Sequence, residues 1–413
     1  MAHDPQHDRR LVLWLSLAQL ITWGSVFYTF ALLVEPIERE LGLGRAQSSL
    51  AFSLALLAEG LCAYPVGRWI DRGHERLVMT GGSVLVGLCL AAHSLVTSLS
   101  GFYAVWMLLG VAMAATLYAP VFAVVTRRFP QDFRRAIITM TFLGGLASTV
   151  FIPLTFWLIA SLGWRHALWC LAALQLLVCL PIHAMLLQHA PAGQPALPSS
   201  VAPAVAPASL ARYLSSAPFL LIGVFVVCMM AVTVALPAHM VSLLRENGLR
   251  EAWVIAVPAS IGVLQVVGRA LLYFFERHFD VHLANRLIPC LVPAGLGALL
   301  LAPWVAGRDA GAGLLLVVLF VVFFGMGNGM LTIVKGTAIA QYVNRDHVAS
   351  LNGALGVPLA LARAAAPLAL GLLWSSEAGY SHGLWLLLAL SGAAIVALLL
   401  AQKKALEGTR ARR

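Results

Sequence analysis

The chain has 413 residues, of which 61% are hydrophobic and only 11% are charged. An ordinary soluble domain carries about 25% charged residues, so the composition excludes a soluble globular protein. The formal net charge of +10 does not indicate nucleic-acid binding, because the lysine and arginine residues lie in short loops and in the C-terminal tail rather than in a basic domain. The sequence therefore indicates a polytopic membrane protein that contacts a lipid bilayer.

Apolar stretches long enough to cross a bilayer occur repeatedly along the chain. A hydrocarbon core about 30 Å thick needs roughly 20 apolar residues in a helix. The sequence predicts twelve such helices, at residues 11–34, 47–67, 77–98, 102–126, 136–160, 166–187, 218–244, 252–275, 286–306, 312–338, 348–374 and 381–401. No small-residue cleavage site follows the first of them, so we expect it to remain as a helix. The predicted fold class is an all-α membrane protein.

A stretch rich in proline and alanine, residues 188–217, interrupts this pattern and is typical of a linker. It separates a predicted N-terminal six-helix bundle, residues 1–187, from a predicted C-terminal six-helix bundle with a basic tail, residues 218–413. The segment GVAMAATLYAPVFAVVTRRF from Gly110 is similar to GMGNGMLTIVKGTAIAQYV from Gly325. We therefore expect two pseudo-symmetric bundles with a binding site between them near the middle of the bilayer.

The distribution of basic residues predicts the orientation. With both termini in the cytoplasm, about 18 of the 27 lysine and arginine residues lie on the cytoplasmic side, six lie in the outer loops and three lie inside helices. The positive-inside rule favours this arrangement. The linker is then cytoplasmic, and we expect a multi-pass protein of the bacterial inner membrane that functions as a monomer.

Three cations fall inside predicted helices, all in the second half of the chain: Arg269, Lys335 and Arg363. The comparable carboxylate of the first half is Glu59. A charge at the bilayer centre costs roughly 2.5 to 3.5 kcal/mol on insertion scales, so it is usually kept only where it faces water, a partner or a ligand. An excess of intramembrane cations predicts a site for an anionic substrate.

Each of these charges also has a structural interpretation. Arg269 could be an arginine of the helix end, although the six uncharged residues after it place it about 10 Å deeper than Arg68. Arg363 could be a fixed partner of Glu59 or of a backbone carbonyl, and Lys335 could extend to the membrane surface. Glu59 is the candidate for carrying a coupled proton, and its alternative is a structural carboxylate.

Polar and aromatic residues near these charges are further candidates for substrate contact. Gln265 lies four residues before Arg269 and therefore on the same helix face, and Asn328 precedes Lys335 in the tenth helix. The first half contributes Tyr28 and Tyr118, for which core packing is the alternative. The glycine-rich GMGNG at 325–329 has no strand before it, so it predicts close helix packing rather than nucleotide binding.

The segment GRWIDRGHER, residues 67–76, resembles the cytoplasmic signature of the major facilitator superfamily, although its glycine spacing is shortened. The resemblance extends over essentially the whole chain through the helix number and the linker. Gly67 is expected to allow close approach of two helices. Asp71, Arg72 and Arg76 are expected to bridge neighbouring helix ends and to hold one access state, so this segment is a candidate cytoplasmic gate.

Within that superfamily the chain is most similar to the bacterial monocarboxylate porter and oxalate:formate antiporter group. Three segments carry the similarity: SVFYTFALLVEPIERELGLGRAQSSLAFSL from Ser25, RRFPQDFRRA from Arg127, and QVVGR ending at Arg269. The resemblance implies that Arg269 pairs with a substrate carboxylate and that Arg363 is the basic residue of the eleventh helix. The first-helix lysine of some eukaryotic members has no counterpart here.

Catalytic and cofactor motifs are missing from the sequence. It contains no Walker motif, no nucleophile elbow and no metal-ligand spacing, and the six cysteines have no CxxC pairs. We therefore expect no enzyme activity, no cofactor and no metal site. The expected function is secondary active transport of small organic anions by rocker-type alternating access, with export of amphipathic or drug-like compounds as the alternative. The substrate, the direction and the choice among symport, antiport and uniport stay open.

Overall fold

A computed structural model of the chain describes residues 5–128, 133–188, 212–275, 280–344 and 348–410. Within these ranges twelve helices are long and apolar enough to cross a membrane, which confirms the predicted all-α fold class. The described ranges contain no β-strand, only an isolated bridge between Ser375 and Gly379. Most of the predicted linker, residues 189–211, lies outside the described residues.

The chain divides into two compact units, Met1–Ser200 with Met240–Ser242, and Val201–His239 with Leu243–Arg413. Six helices belong to the first of them. They are α1 (Arg10–Leu41), α2 (Arg45–Asp71), α3 (Glu75–His93), α4 (Leu99–Arg128), α5 (Ala136–Leu162) and α6 (Trp164–Leu186).

The second unit also contains six helices. They are α7 (Ala217–Glu246), α8 (Glu251–Phe275), α9 (Val281–Ala306), α10 (Ala310–Tyr342), α11 (Leu351–Leu373) and α12 (Ser381–Arg410). Large apolar side chains such as Leu301 and Trp304 on α9 remain exposed. Exposed apolar side chains on a spanning helix are expected, because this surface faces lipid rather than water.

Five of these helices are locally irregular. A π-helical turn interrupts α1 at Trp23–Tyr28, and another interrupts α6 at Gln175–Cys179. Single residues, Leu117 in α4, Leu146 in α5 and Leu355 in α11, separate two helical segments each. Such interruptions inside helices are often found at functional sites, and in membrane proteins at the residues that line a substrate path.

Candidate functional site

Glycine residues bring α8 and α10 into close contact in the C-terminal unit. A Cβ atom added to Gly329 would lie 2.2 Å from the backbone oxygen of Gln265, and one added to Gly268 would lie 2.6 Å from the oxygen of Met326. These neighbours are backbone atoms, which cannot move aside as a flexible side chain can. The glycines of residues 325–329 therefore serve close helix packing, as the sequence predicts.

Arg269 lies at this contact between the two helices. Its side chain is half-buried, and its Nε donates a hydrogen bond of 3.4 Å to the carbonyl oxygen of Gly329. Gln265, one turn earlier on α8, is also half-buried. Without a Cβ at Gly329, the backbone of α10 comes within reach of the Arg269 guanidinium. The glycine contact thus determines where this cation is held.

Lys335 and Arg363 form a second cationic position, on α10 and α11. Both side chains are half-buried, and they lie close enough for the positive charge of Arg363 to act on the Lys335 ammonium group. In the described part of the chain Lys335 has no hydrogen bond or ion pair. Asn328, two turns before Lys335, is half-buried, and its backbone oxygen accepts a hydrogen bond of 3.1 Å from Thr332 Oγ1. Lys335 and Arg363 thus lie within range of each other's charge, whereas Arg269 lies at the α8–α10 contact.

Arg363 lies about two turns beyond the interruption of α11 at Leu355. The backbone of Leu355 has φ −81° and ψ −8°, and the backbone of Leu146 in α5 has φ −82° and ψ 1°. In both, the N–H donates to the carbonyl three residues back, at 3.1 Å for Leu355 and 3.0 Å for Leu146. One tightened turn therefore replaces an α-helical turn in the fifth helix of each unit, a local conformation that the sequence did not predict.

In the N-terminal unit an aromatic cluster surrounds the interruptions of α1 and α4. The Tyr118 ring lies 4.9 Å from Trp23 and 5.1 Å from Phe122, centroid to centroid. A Cβ atom added to Gly144 would lie 2.3 Å from the Tyr118 hydroxyl oxygen, so this hydroxyl reaches the first segment of α5. Tyr28 ends the π-helical turn of α1 and is half-buried. Both predicted tyrosines thus lie beside helix interruptions, where packing and ligand contact both stay possible roles.

The interruption of α4 has a clear chemical cause. Proline has no N–H, so Pro120 cannot donate to the carbonyl of Thr116 four residues earlier. The side-chain Nε2 of Gln19 on α1 donates to this carbonyl instead, at 2.6 Å, and both residues are fully buried. Gln19 therefore replaces a backbone donor that the chain itself cannot supply, and it ties α1 to the break in α4.

Gln19→Leu is expected to lower the free energy of unfolding by about 1–3 kcal/mol, because it leaves the buried Thr116 carbonyl without a donor. Pro120→Ala restores a backbone N–H four residues after Thr116, so it should recover part of this loss in the double variant. Reversible unfolding in mixed micelles with increasing dodecyl sulfate measures both effects. If the two substitutions are simply additive, Gln19 does not stabilise the break.

Two further buried polar contacts join the interrupted helices of this unit. Gln175, in the π-helical turn of α6, donates through Nε2 to Ser25 Oγ at 2.8 Å and to Thr22 Oγ1 at 3.2 Å. The π-helical turn of α1 includes Gly24, whose carbonyl accepts a hydrogen bond of 2.9 Å from Thr29 Oγ1. Sequence reasoning did not select Gln175, although an isolated amide in an apolar helix was a signal that could have found it.

The candidate gate segment shows only part of the contacts expected of it. A Cβ added to Gly67 would find no described atom within 4 Å, so the described residues show no close helix contact there, and the expected role of Gly67 stays a prediction. Asp71 ends α2 and Arg72 is exposed. Arg76 is also exposed, and its Nε donates to the carbonyl of Ala184 on α6 at 2.7 Å. Arg76 thus makes the kind of contact to a neighbouring helix that was expected of this segment.

A buried ion pair at this end of the unit involves Glu75, which sequence reasoning did not select. Glu75 is fully buried at the start of α3, and its Oε1 lies 2.5 Å from a guanidinium nitrogen of Arg128 on α4. Arg127 donates to the carbonyl of Ile70, which joins the end of α4 to α2. Helices α2, α3 and α4 are therefore held together by contacts of Arg127 and Arg128.

Glu59, the proposed proton carrier, lies in the middle of α2 and is half-buried. The described residues contain no cluster of three or more histidine, cysteine, aspartate or glutamate side chains that could hold a metal ion. The six cysteines are not joined by disulfides.

The profile of the Major Facilitator Superfamily matches residues 15–279 of the sequence. No curated protein sequence is significantly similar to the chain. Among solved structures, a bacterial homologue of the human lysosomal transporter Spinster, facing inward and unoccupied, superposes with a TM-score of 0.72 at 16% identity, covering 98% of this chain and 99% of that one.

Two further solved transporters have the same fold. The nucleoside transporter NupG, solved as a point mutant, gives a TM-score of 0.72 at 16% identity, with 96% of this chain and 99% of that one covered. The xylose transporter XylE from E. coli gives a TM-score of 0.68 at 11% identity, with 96% of this chain and 99% of that chain covered. Such low identities establish the fold alone. The profile match covers more than half of the sequence, so the chain belongs to the Major Facilitator Superfamily of multi-pass membrane transporters.

Proposed function

We propose that this protein is a secondary active transporter of small organic anions, with monocarboxylate-like substrates, that works by rocker-type alternating access. Lys335 and Arg363 carry the proposal, because two cations from different helices lie close enough to affect each other within the spanning helices. Arg269 on α8 adds a third cation in the same unit. The specific resemblance to the monocarboxylate and oxalate:formate group belongs to this proposal.

The physical argument starts from the cost of like charges. Two cations close together in a medium of low dielectric constant repel each other, and each also loses hydration. Such an arrangement is retained at functional sites because a ligand of opposite charge offsets both costs. A carboxylate can accept two hydrogen bonds from one guanidinium group and a third from an ammonium group. A small organic anion is therefore the substrate class that fits Lys335 and Arg363.

Three further parts belong to the proposal. Glu59 is proposed to carry a coupled proton, since it is the carboxylate placed deepest in an apolar helix of the first half. The basic residues favour a bacterial inner-membrane protein with both termini in the cytoplasm. The contacts of Arg76, Arg127 and Arg128 support a gate at the end of the N-terminal unit that contains residues 67–76.

Uptake by the purified protein in proteoliposomes tests the substrate class. We expect labelled lactate to be taken up and other small carboxylates to compete with it. The neutral amide of lactate should compete about 100-fold less well, because it cannot form the charged hydrogen bonds with Arg363 and Lys335. The thermal stability of the detergent-solubilised protein should rise with the same carboxylates, because a ligand that binds only the folded state stabilises it.

The alternative, export of amphipathic compounds, makes the opposite prediction in the same vesicles. An exporter of that class would move a lipophilic cationic dye, and carboxylates would not inhibit the movement. Transport of the dye together with equal competition by lactate and its amide would contradict the proposed anion site.

A further inference from the structure

We propose that an anionic phospholipid binds in a groove of the C-terminal unit, at the loop ends of α7 to α10. The groove has a volume of about 390 Å³ and is lined mainly by apolar and small side chains, with Arg250 among the lining residues. Its lining residues include Arg250, Trp253, Ala306, Ala310, Gly313 and Leu314. This site is separate from the cations of the proposed transport site.

The apolar part of the groove results from small residues at the α9–α10 connection. A Cβ atom added to Gly313 would lie 2.4 Å from the Cβ of Ala306, so the two helices meet here almost without side chains. Leu314 and Val317, further along α10, provide apolar walls. A channel of this kind at a lipid-facing surface suits an acyl chain, which packs against small and branched apolar side chains.

The charges around the groove distinguish it from the other loop ends. Six arginines lie in or beside the loops that join α1 to α2, α5 to α6, α7 to α8 and α9 to α10. Four of them form ion pairs, which are Arg39–Glu35 at 3.7 Å, Arg45–Glu38 at 3.1 Å, Arg165–Glu40 at 2.6 Å and Arg245–Glu251 at 2.5 Å. The other two, Arg250 and Arg308, have no carboxylate partner in the described part of the chain. Arg250, Ala306 and Ala310 line the groove. Arg308 lies in the turn between Ala306 and Ala310.

The aromatic residues place this groove at the level of lipid headgroups. Trp253 lines it, and Trp304, one turn before Arg308, has its ring centroid 3.9 Å from the Arg308 guanidinium carbon. Tryptophan is enriched where a membrane meets water, and basic residues at that level attract anionic headgroups. A zwitterionic lipid would bring a positive headgroup charge close to the two arginines, and a small soluble anion would leave the apolar channel unused. An anionic phospholipid provides both a counter-ion for the arginines and an acyl chain for the apolar channel.

Native mass spectrometry of the full-length protein tests the proposal with two lipids that share the same acyl chains, phosphatidylglycerol and phosphatidylcholine. We expect phosphatidylglycerol to bind more tightly. Arg250→Gln and Arg308→Gln should each raise its dissociation constant about fivefold, and the double variant about 20-fold. Ala310→Leu, which narrows the channel, should weaken both lipids. Arg39→Gln is the matched control, because Arg39 belongs to the other unit, does not line the groove and is ion-paired with Glu35, so its loss should change the affinity for neither lipid.

Three results would overturn the proposal. Equal affinity for the two lipids, or an unchanged affinity in the arginine variants, would show that the groove does not recognise an anionic headgroup. Displacement of the lipid by soluble glycerol 3-phosphate, with no effect of Ala310→Leu, would identify a soluble-anion site instead. Equal unfolding temperatures of all variants in lipid-free detergent serve as the folding control.

Discussion

Arg269→Ala and Arg363→Ala are each expected to reduce the ratio of kcat to KM for carboxylate uptake on the order of 100-fold. Truncating one member of a desolvated charged hydrogen-bonded pair costs about 2–5 kcal/mol, and 2.7 kcal/mol corresponds to this factor. Initial rates in proteoliposomes, measured over a range of substrate concentrations, give the ratio. The effect should be largest for Arg363, because the proposal gives its guanidinium group the two hydrogen bonds to the substrate carboxylate.

Substitution by lysine separates the charge from the geometry of the guanidinium group. Arg363→Lys keeps the positive charge but loses the planar fork that binds a carboxylate through two parallel hydrogen bonds, so we expect an intermediate rate. Arg286→Gln is the matched control, because Arg286 belongs to the same unit but donates to Gln402 at 2.8 Å. If the alanine variants remain folded and transport carboxylates at the wild-type rate, the assignment of the anion site is wrong.

Gly329→Ala is expected to destabilise the protein by about 3 kcal/mol and to reduce uptake as well. The added Cβ would lie 2.2 Å from the Gln265 backbone oxygen, so α8 and α10 must move apart. That movement also changes the position of Arg269, whose Nε donates to the Gly329 carbonyl. Unfolding in mixed micelles and uptake in proteoliposomes measure the two effects separately.

Gly336→Ala provides a matched comparison on the same helix. Gly336 lies about two turns after Gly329, and an added Cβ there would meet no described atom within 4 Å. Alanine is the better helix former by about 1 kcal/mol, so Gly336→Ala should leave the stability unchanged or raise it slightly. Equal stability of the two variants would mean that the α8–α10 contact does not depend on the missing side chain.

Much of this fold follows from hydropathy alone. In a bilayer every backbone polar group needs a partner within the protein, so long apolar segments must become helices. The predicted helix at 77–98 corresponds to Glu75–His93 and the predicted helix at 312–338 to Ala310–Tyr342, with ends that differ by a few residues. The three intramembrane cations were visible for the same reason, because a charge stands out against an apolar background.

The local chemistry of the helices was harder to predict, because it depends on contacts between distant parts of the sequence. The sequence predicts close helix packing at both Gly67 and Gly329. An added Cβ would meet no described atom within 4 Å at Gly67, whereas at Gly329 it would meet the backbone of Gln265. The sequence analysis did not select Glu75, whose buried carboxylate is paired with Arg128, 53 residues later in the chain. Pro120 in the sequence is enough to suggest the break at Leu117. Nothing in the sequence indicates that Gln19 donates to the Thr116 carbonyl at this break.

The tightened turns at Leu146 and Leu355 have a mechanical consequence. A continuous α-helix resists bending because each bend strains several hydrogen bonds in series, whereas a single i to i−3 turn confines the strain to one linkage. Each of α5 and α11 can therefore behave as two rigid helical segments joined by a hinge. Arg363 lies on the segment that follows the interruption of α11, about 12 Å along the helix from Leu355. A small bend at Leu355 would therefore shift the Arg363 guanidinium group sideways farther than it shifts the residues next to the bend.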